Sequence, residues 1–145
     1  MLCNFNQLFK VDPEVFGVWM EILSSVPDSF LWLLRLPSTA EANLRRTARA
    51  GHGGEVEGRM IFSERIDWRN HLLVKSMANL SLDNPVFNSH TSGVDILWSG
   101  VPLLTLPRET MSSRVAASLI SAVTLPLTIA RNMDDYKQLA LRLIG

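Results

Sequence analysis

Short apolar runs alternate with longer amphipathic stretches along the whole chain. The runs have no helical period and carry apolar side chains at consecutive positions, which is typical of parallel strands buried on both faces. They predict strands at residues 2–5, 30–36, 59–63, 80–83 and 102–106.

The stretches between these runs have helical spacing and helix-start residues. Asp12 and Pro13 fit the cap and the first position of a helix whose apolar face continues to Val26. Ser38 and Glu41 fit a capping box for a second helix, which ends at about Ala50. Further helices are predicted at residues 69–78, from the loop after the fourth strand to Gly100, at 110–122, and after Asn132.

The sequence also predicts two irregular segments and the orientation of two helix faces. Residues 51–54, with three glycines, predict a flexible loop, and residues 125–130 predict irregular structure. The second helix carries Arg45, Arg46 and Arg49, which we interpret as a solvated face. The last helix should turn one face inward: Tyr136, Leu139, Ala140 and Leu143.

Strict alternation of strand and helix predicts an α/β fold, a doubly wound parallel sheet of the Rossmann-like kind, as one domain over residues 1–145. Ligands of such sheets bind where the strands end at their carboxyl edge. Four loops are expected there: 6–10, 64–68, 84–91 and 107–110.

Composition narrows the class of protein. Fourteen basic residues balance fourteen acidic ones, so charge indicates neither a nucleic-acid partner nor an anionic membrane surface. The single cysteine, Cys3, excludes an internal disulfide and suits a reducing compartment. No apolar run approaches the roughly 20 residues that span a bilayer, and the first residues lack signal-peptide features. We therefore expect a soluble, cytoplasmic protein, with the nucleus as a second compartment.

The loop after the fourth strand carries small polar residues at a predicted helix start. Ser89, Thr91, Ser92 and Gly93 would let an anion approach free N–H groups at the positive end of the helix dipole. The same residues are also ordinary helix caps, and the sequence alone leaves both interpretations open. Lys10, after the first strand, could neutralise a diphosphate or simply face solvent.

Several segments, in order and at near-family spacing, resemble the O-GlcNAc transferases and their SPINDLY-like relatives. The central one is NSHTSGVDILW at 88–98, between DNP at 83–85 and GVP at 100–102; the others are CNFNQLFK at 3–10, LWLLR at 31–35, ET at 109–110 and SRVAAS at 113–118. The resemblance covers essentially all 145 residues, but matches only the C-terminal half of that family's catalytic region.

The resemblance implies the C-terminal domain of a GT-B glycosyltransferase that moves N-acetylglucosamine from UDP-GlcNAc to Ser and Thr of proteins, without a metal ion or other cofactor. It implies that Lys10 contacts the pyrophosphate and stabilises the departing UDP, so Lys10 is the candidate catalytic residue. Its other implied UDP contacts are Gln7 at the pyrophosphate, the Ile66 backbone and the His71 ring at uracil, and the motif residues His90, Thr91, Ser92 and Asp95. Ser92 replaces the family's Thr, and Asp95 would accept from the ribose hydroxyls.

Two positions depart from the family pattern. Trp68 stands where a Lys is usual and is kept as a UDP contact, with stacking on the base as its alternative role. Val74 stands where an Arg is usual. Each lost charge-assisted hydrogen bond would cost about 1.5–3 kcal/mol of binding free energy.

Three functions stay open at the level of sequence. The chain is expected to be the UDP-sugar-binding part of an O-GlcNAc transferase, inactive in isolation because acceptor proteins bind through the N-terminal part that it lacks. The alternatives are a relative that uses GDP-fucose, and a degenerate nucleotide-binding fragment without catalysis. No nucleic-acid or membrane partner is expected.

Overall fold

A parallel five-stranded sheet forms the centre of the protein, in a computed structural model that describes residues 1–67 and 69–145. The strands lie in the order β3-β2-β1-β4-β5. Their bounds are β1 Leu2–Asn4, β2 Leu31–Leu34, β3 Met60–Ser63, β4 Leu80–Leu82 and β5 Leu103–Leu104. The chain adds strands on one side of β1 and then crosses to its other side. The prediction of a doubly wound α/β sheet is confirmed.

Helices connect the strands and cover both faces of the sheet. They are α1 Pro13–Ser25, α2 Thr39–Gly58, α3 His71–Lys75, α4 Thr91–Trp98, α5 Val115–Ala122 and α6 Met133–Ile144. The described residues also form 3-10 turns at Leu8–Lys10, between β1 and α1, at Met111–Ser113, before α5, and at Pro126–Thr128, before α6. No helix of the described residues is long and apolar enough to cross a bilayer.

Side chains of each strand alternate between two apolar clusters, because successive residues of a strand point to opposite faces. Leu31 and Leu33 of β2 pack in the cluster that includes residues of α1, α2 and α6, whereas Trp32 packs in the cluster with α4 and α5. In β1, Leu2 packs in the first of these clusters and Cys3 in the second. Both faces of the sheet are therefore buried, which explains why the strand sequences are apolar at consecutive positions.

Two helix starts follow the predicted cap chemistry and one does not. Asp12 accepts from Val15 N at 3.0 Å, and Asn132 accepts from Asp135 N at 2.8 Å. The capping box at Ser38 is wrong, because its side chain makes no cap hydrogen bond. Glu41 instead binds the guanidinium groups of Arg35 and Arg45, so its carboxylate does not reach back to the helix start.

The prediction of a flexible loop over 51–54 is wrong in extent: Gly53, with φ of +86°, interrupts α2 with a kink, but residues on both sides of it are helical and α2 ends at Gly58. Glu57, beyond the kink, binds Arg45 at 2.9 Å and Arg49 at 3.0 Å. These ion pairs join the two parts of the helix. They also show that the face interpreted as solvated is partly engaged in pairing.

The remaining differences concern segment ends. Helix α3 is shorter than predicted, and the segment 110–122 divides into a 3-10 turn and α5. Tyr136 and Ala140 of α6 are buried as predicted, but Leu143 is 46% exposed. Arg59, predicted inside a strand, is buried before β3, where its Nη1 donates to the carbonyls of Leu23, Val26 and Ser29. It satisfies the C-terminal end of α1.

Candidate functional site

A cleft of about 790 Å³ opens at the carboxyl edge of the sheet. It lies where the loops after β1 and β3 face α3 and the start of α4, next to the point where the strand order reverses between β1 and β4. Its lining residues are Phe5, Asn6, Gln7, Phe9, Lys10, Leu34, Leu36, Ser63, Arg65, Ile66, Asp67, His71, Lys75, His90, Thr91, Ser92 and Asp95. This is the position at which doubly wound sheets bind their ligands.

The structure brings the described candidate residues together in this cleft. They come from three segments that are distant in the sequence: Gln7 and Lys10, Ile66 and His71, and the group His90, Thr91, Ser92 and Asp95. Trp68 lies outside the described residues. The role of each residue toward a ligand stays a prediction.

Lys10 ends the 3-10 turn after β1 and is held toward the start of α4. Its Nζ donates to Asn88 O at 3.1 Å and lies 4.0 Å from the centre of the Phe87 ring. Partial burial lowers the pKa of Lys10 below its usual range, and the nearby Asp83 carboxylate opposes part of that shift. The ammonium is thus less hydrated than that of a surface lysine, which strengthens its interaction with an anion.

The first turn of α4 supplies N–H groups on the same side of the cleft. Gly93 N and Val94 N both donate to His90 O, at 3.0 and 3.2 Å, so the amides of Thr91 and Ser92 precede the hydrogen bonds of the helix itself. His90 Nε2 lies 3.3 Å from Ser112 O, an acceptor, so this nitrogen carries the hydrogen. His90 therefore joins the helix start to the turn Met111–Ser113.

Ser89 and Gly93 do not serve the anion-approach role that the sequence suggested. Both are buried, and Ser89 N donates to Asp83 Oδ1 at 2.6 Å. A Cβ on Gly93 would lie 3.1 Å from Ser89 Cβ and 3.2 Å from Leu119 Cδ1. These two small residues allow α4 to pack closely, while Thr91 is exposed and Ser92 half-buried at the surface of the cleft.

The hydroxyl of Ser92 is directed to a neighbouring side chain. Its Oγ donates to Asn6 Oδ1 at 2.6 Å, and Asn6 Nδ2 donates to Ser89 Oγ at 2.7 Å and to Asn84 Oδ1 at 2.8 Å. To donate to a phosphate, the Ser92 hydroxyl must first leave Asn6. Its backbone N–H needs no such rearrangement.

A buried polar network behind the cleft was not predicted. Asn4 Nδ2 donates to Leu82 O and Asn84 Oδ1, which joins β1 to the end of β4. Asp83 is fully buried and accepts from Thr105 Oγ1 at 2.6 Å, and desolvation raises the pKa of its carboxyl. Polar residues at the end of β1 were the available signal, but sequence cannot tell which distant partners satisfy them. The network fixes the two loops that carry Lys10 and α4.

The wall formed by α3 and α4 contains an acidic group with two basic neighbours. Asp95 Oδ2 lies 2.7 Å from Lys75 Nζ and 3.5 Å from His71 Nε2. Lys75 was missed, because helical spacing alone does not show that the last turn of α3 faces α4. Val74 packs against the apolar cluster of α4 and α5.

The described residues contain no group of three or more His, Cys, Asp or Glu side chains that could hold a metal ion. What the cleft offers is the Lys10 cation beside the first-turn N–H groups of α4, and a carboxylate with an imidazole where α3 meets α4. This arrangement can bind a ligand that is anionic at one end and carries hydroxyl groups at the other.

The profile of the family described as Glycosyl transferase family 41 matches residues 1–145. The chain belongs to this family. The family 41 chain is 40% identical over 143 residues to a UDP-N-acetylglucosamine–peptide N-acetylglucosaminyltransferase of Caenorhabditis elegans. This alignment covers 99% of the chain and 12% of that relative. It is 41% identical over 140 residues to the probable enzyme SEC of Arabidopsis thaliana, which covers 96% of the chain and 14% of the relative.

A solved structure supports the family assignment at the level of fold. An O-GlcNAc transferase mutant of Thermobaculum terrenum superposes with a TM-score of 0.88 at 27% identity, over 98% of the family 41 chain and 27% of that protein. The resemblance inferred from the sequence motifs is confirmed. The family 41 chain spans about an eighth of the length of the first curated relatives that it matches.

Proposed function

We propose that this chain holds the sugar donor of a protein O-GlcNAc transferase, and that its cleft binds the UDP portion of UDP-GlcNAc. The observation that carries the proposal is that a single cleft contains Lys10, the start of α4, and the pair Asp95 and His71 where α3 meets α4. Membership of family 41 and the names of the matched relatives support the choice of donor.

The diphosphate is assigned to the wall formed by Lys10 and α4. The ammonium donates to Asn88 O, three residues before α4 begins, and in the proposed complex a phosphate group contacts both Nζ and the amides of Thr91 and Ser92. Gln7, exposed at the rim, adds a side-chain amide. Charge-assisted hydrogen bonds of this kind are about twice as strong as neutral ones.

The nucleoside is assigned to the part of the cleft where the loop after β3 and α3 meet α4. Ile66 lies in the loop after β3, where a backbone group can read the edge of uracil whatever the side chain. The half-buried imidazole of His71 offers a flat surface to the base. Asp95 then lies in position to accept from ribose hydroxyls, the usual task of a carboxylate in nucleotide sites.

In the proposed reaction, the bond between the anomeric carbon of the sugar and the β-phosphate oxygen breaks, and its electron pair stays on UDP. A Ser or Thr oxygen of the acceptor protein forms the new bond to that carbon and loses its proton to a base outside this chain. Lys10 and the α4 amides stabilise the charge that develops on the departing diphosphate, and so Lys10 is the proposed catalytic residue.

Acceptor proteins are proposed to bind through other parts of a longer protein, and the cytoplasm, with the nucleus, is the proposed location. Positioning of an acceptor supplies about 7–11 kcal/mol of barrier lowering in well-organised sites. We therefore expect these 145 residues alone to bind donor without transferring sugar.

Titration calorimetry with UDP, UDP-GlcNAc and GDP-fucose tests this proposal. We expect UDP and UDP-GlcNAc to bind with dissociation constants in the micromolar to millimolar range, and GDP-fucose to bind at least about tenfold more weakly, a difference of about 1.4 kcal/mol. Preference for GDP-fucose would indicate an O-fucosyltransferase-like relative. Absence of heat with all three ligands would indicate a fragment without a donor site and would refute the proposal.

A further inference from the structure

We propose that Lys75 is a positioning residue for donor recognition: it holds Asp95 so that this carboxylate selects a ribose with free hydroxyl groups. The inference rests on the proposed function of the cleft. It goes beyond that function because Lys75 is not one of the residues of the family motifs, and because the inference states that Lys75 helps the cleft distinguish ligands with ribose hydroxyl groups from ligands without them.

The Lys75 side chain is unusually enclosed for a lysine. It ends α3, only 12% of the side chain is exposed, and it lines the cleft. Its Nζ donates to Asp95 Oδ2 at 2.7 Å, across 20 residues of sequence. Lysines are rarely buried unless paired, so this bond accounts for the position of the ammonium group. It also joins α3 to α4, the two helices that form this wall.

The two carboxylate oxygens of Asp95 have different surroundings. Both basic neighbours, Lys75 Nζ at 2.7 Å and His71 Nε2 at 3.5 Å, approach Oδ2. Among the described residues, Asp95 Oδ1 has no hydrogen-bond partner, although the residue lines the cleft. Lys75 thus fixes the rotation of the carboxylate and leaves one oxygen to accept from a ligand hydroxyl.

Charge gives Lys75 a second effect. Without Lys75, the Asp95 carboxylate would repel an anionic ligand. Its side chain would also favour rotamers that turn the carboxylate toward water and away from the ligand. The ammonium at 2.7 Å compensates that charge in a partly desolvated place, where charges interact more strongly than in bulk water. The carboxylate is therefore prepared before the ligand arrives, which reduces the cost of binding.

The test compares UDP with 2′,3′-dideoxyuridine diphosphate, which keeps the base and the phosphates but lacks both hydroxyl groups. Wild-type protein should bind UDP at least about tenfold more tightly than the dideoxy compound. In Lys75→Met, UDP binding should weaken about tenfold, while dideoxy binding should change by less than about threefold, so that the discrimination is lost. Asp95→Asn should lose the same discrimination, and the double variant should show no additional loss.

Matched controls separate positioning from folding. Lys137 makes a comparable ion pair with Glu21 Oε2 at 2.8 Å, away from the residues that line the cleft. Lys137→Met should therefore keep both affinities. Lys75→Arg preserves the charge and should recover most of the discrimination. If Lys75→Met does not fold, as judged by circular dichroism, Lys75→Gln takes its place with the same expected loss.

The outcomes distinguish the two proposals. If wild-type protein binds UDP and discriminates, but the Lys75 variant still discriminates to the same degree, the positioning role is wrong and the donor-binding function stands. If wild-type protein binds both diphosphates equally, the assignment of Asp95 to ribose fails and the inference with it. If it binds neither diphosphate, the proposed donor-binding function is wrong, and the inference about Lys75 falls with it.

Discussion

Lys10 combines two properties that a donor site needs from a cation. It is fixed beside the first turn of α4 by Asn88 O, and it is partly desolvated against the Phe87 ring. The second property lowers the pKa of its ammonium group below the ordinary lysine value of 10.5. The charge that would bind a diphosphate is therefore lost at a lower pH than that of an exposed lysine.

We expect UDP affinity to fall as pH rises through this lowered pKa. The ammonium is present below that pKa and binds the diphosphate, whereas above it the amine is neutral and the attraction is lost. Calorimetric titration at a series of pH values from 7.5 upward measures this, with uridine in parallel to report changes at the base.

Two variants sharpen the same experiment. Lys10→Arg should remove the decline, because guanidinium stays protonated throughout this range. Lys10→Ala should weaken UDP about 10- to 100-fold at pH 7.5, the equivalent of one charge-assisted hydrogen bond, and should leave uridine nearly unchanged. Equal losses for UDP and uridine would show that Lys10 acts through folding.

At the residue scale, sequence could identify side chains that belong to a motif but not their partners. His90 and Asp95 were found because their neighbours match a family pattern, and the structure places both at the cleft. Lys75 and Asn6 were missed, since their importance comes from contacts 20 and 86 residues away in sequence. Only the fold brings such pairs together.

Among the elements, α4 depends most on a single small residue. Gly93 faces Ser89, Leu119 and Leu103 at distances that a Cβ would reduce to 3.1–3.3 Å. Gly17, in α1, has no heavy atom within 4 Å of the corresponding position. The two glycines are helical but differ in their surroundings, which makes them a matched pair.

Gly93→Ala should lower the free energy of unfolding by about 1–3 kcal/mol through overpacking, and should weaken UDP binding because the first turn of α4 must shift. Gly17→Ala should raise the free energy of unfolding by about 0.5–1 kcal/mol, since alanine favours the helix. Urea unfolding monitored by circular dichroism measures both. A Gly93→Ala protein of wild-type stability and affinity would contradict the packing account of the helix start.

The sequence predicted which strands and helices are present better than it predicted where each of them ends. Apolar runs located all five strands, and the caps at Asp12 and Asn132 marked two helix starts. The second part of α2, after the kink at Gly53, was not predicted, and the ion pairs of Glu57 with Arg45 and Arg49 across the kink cannot be inferred from the sequence.

At the scale of the whole molecule, the reversal of strand order between β1 and β4 determines where the candidate cleft lies. Alternation of strands and helices predicted a parallel sheet but not the order β3-β2-β1-β4-β5. With β1 beside β4, the turn that carries Lys10 meets the loop that leads into α4, although the two are separated by 78 residues. Asn4, Asn6 and Asn84 bind each other at this junction and hold it.

The central claim is that UDP binds at this junction, and nuclear magnetic resonance of backbone amides during a UDP titration tests it most directly. The amides of Gln7, Lys10, Thr91, Ser92 and Asp95 should shift together with one dissociation constant. Those of Ser29 and Asn79, which precede strands at the opposite edge of the sheet, should stay unchanged. Unchanged spectra at saturating UDP, or shifts centred on that opposite edge, would contradict the account.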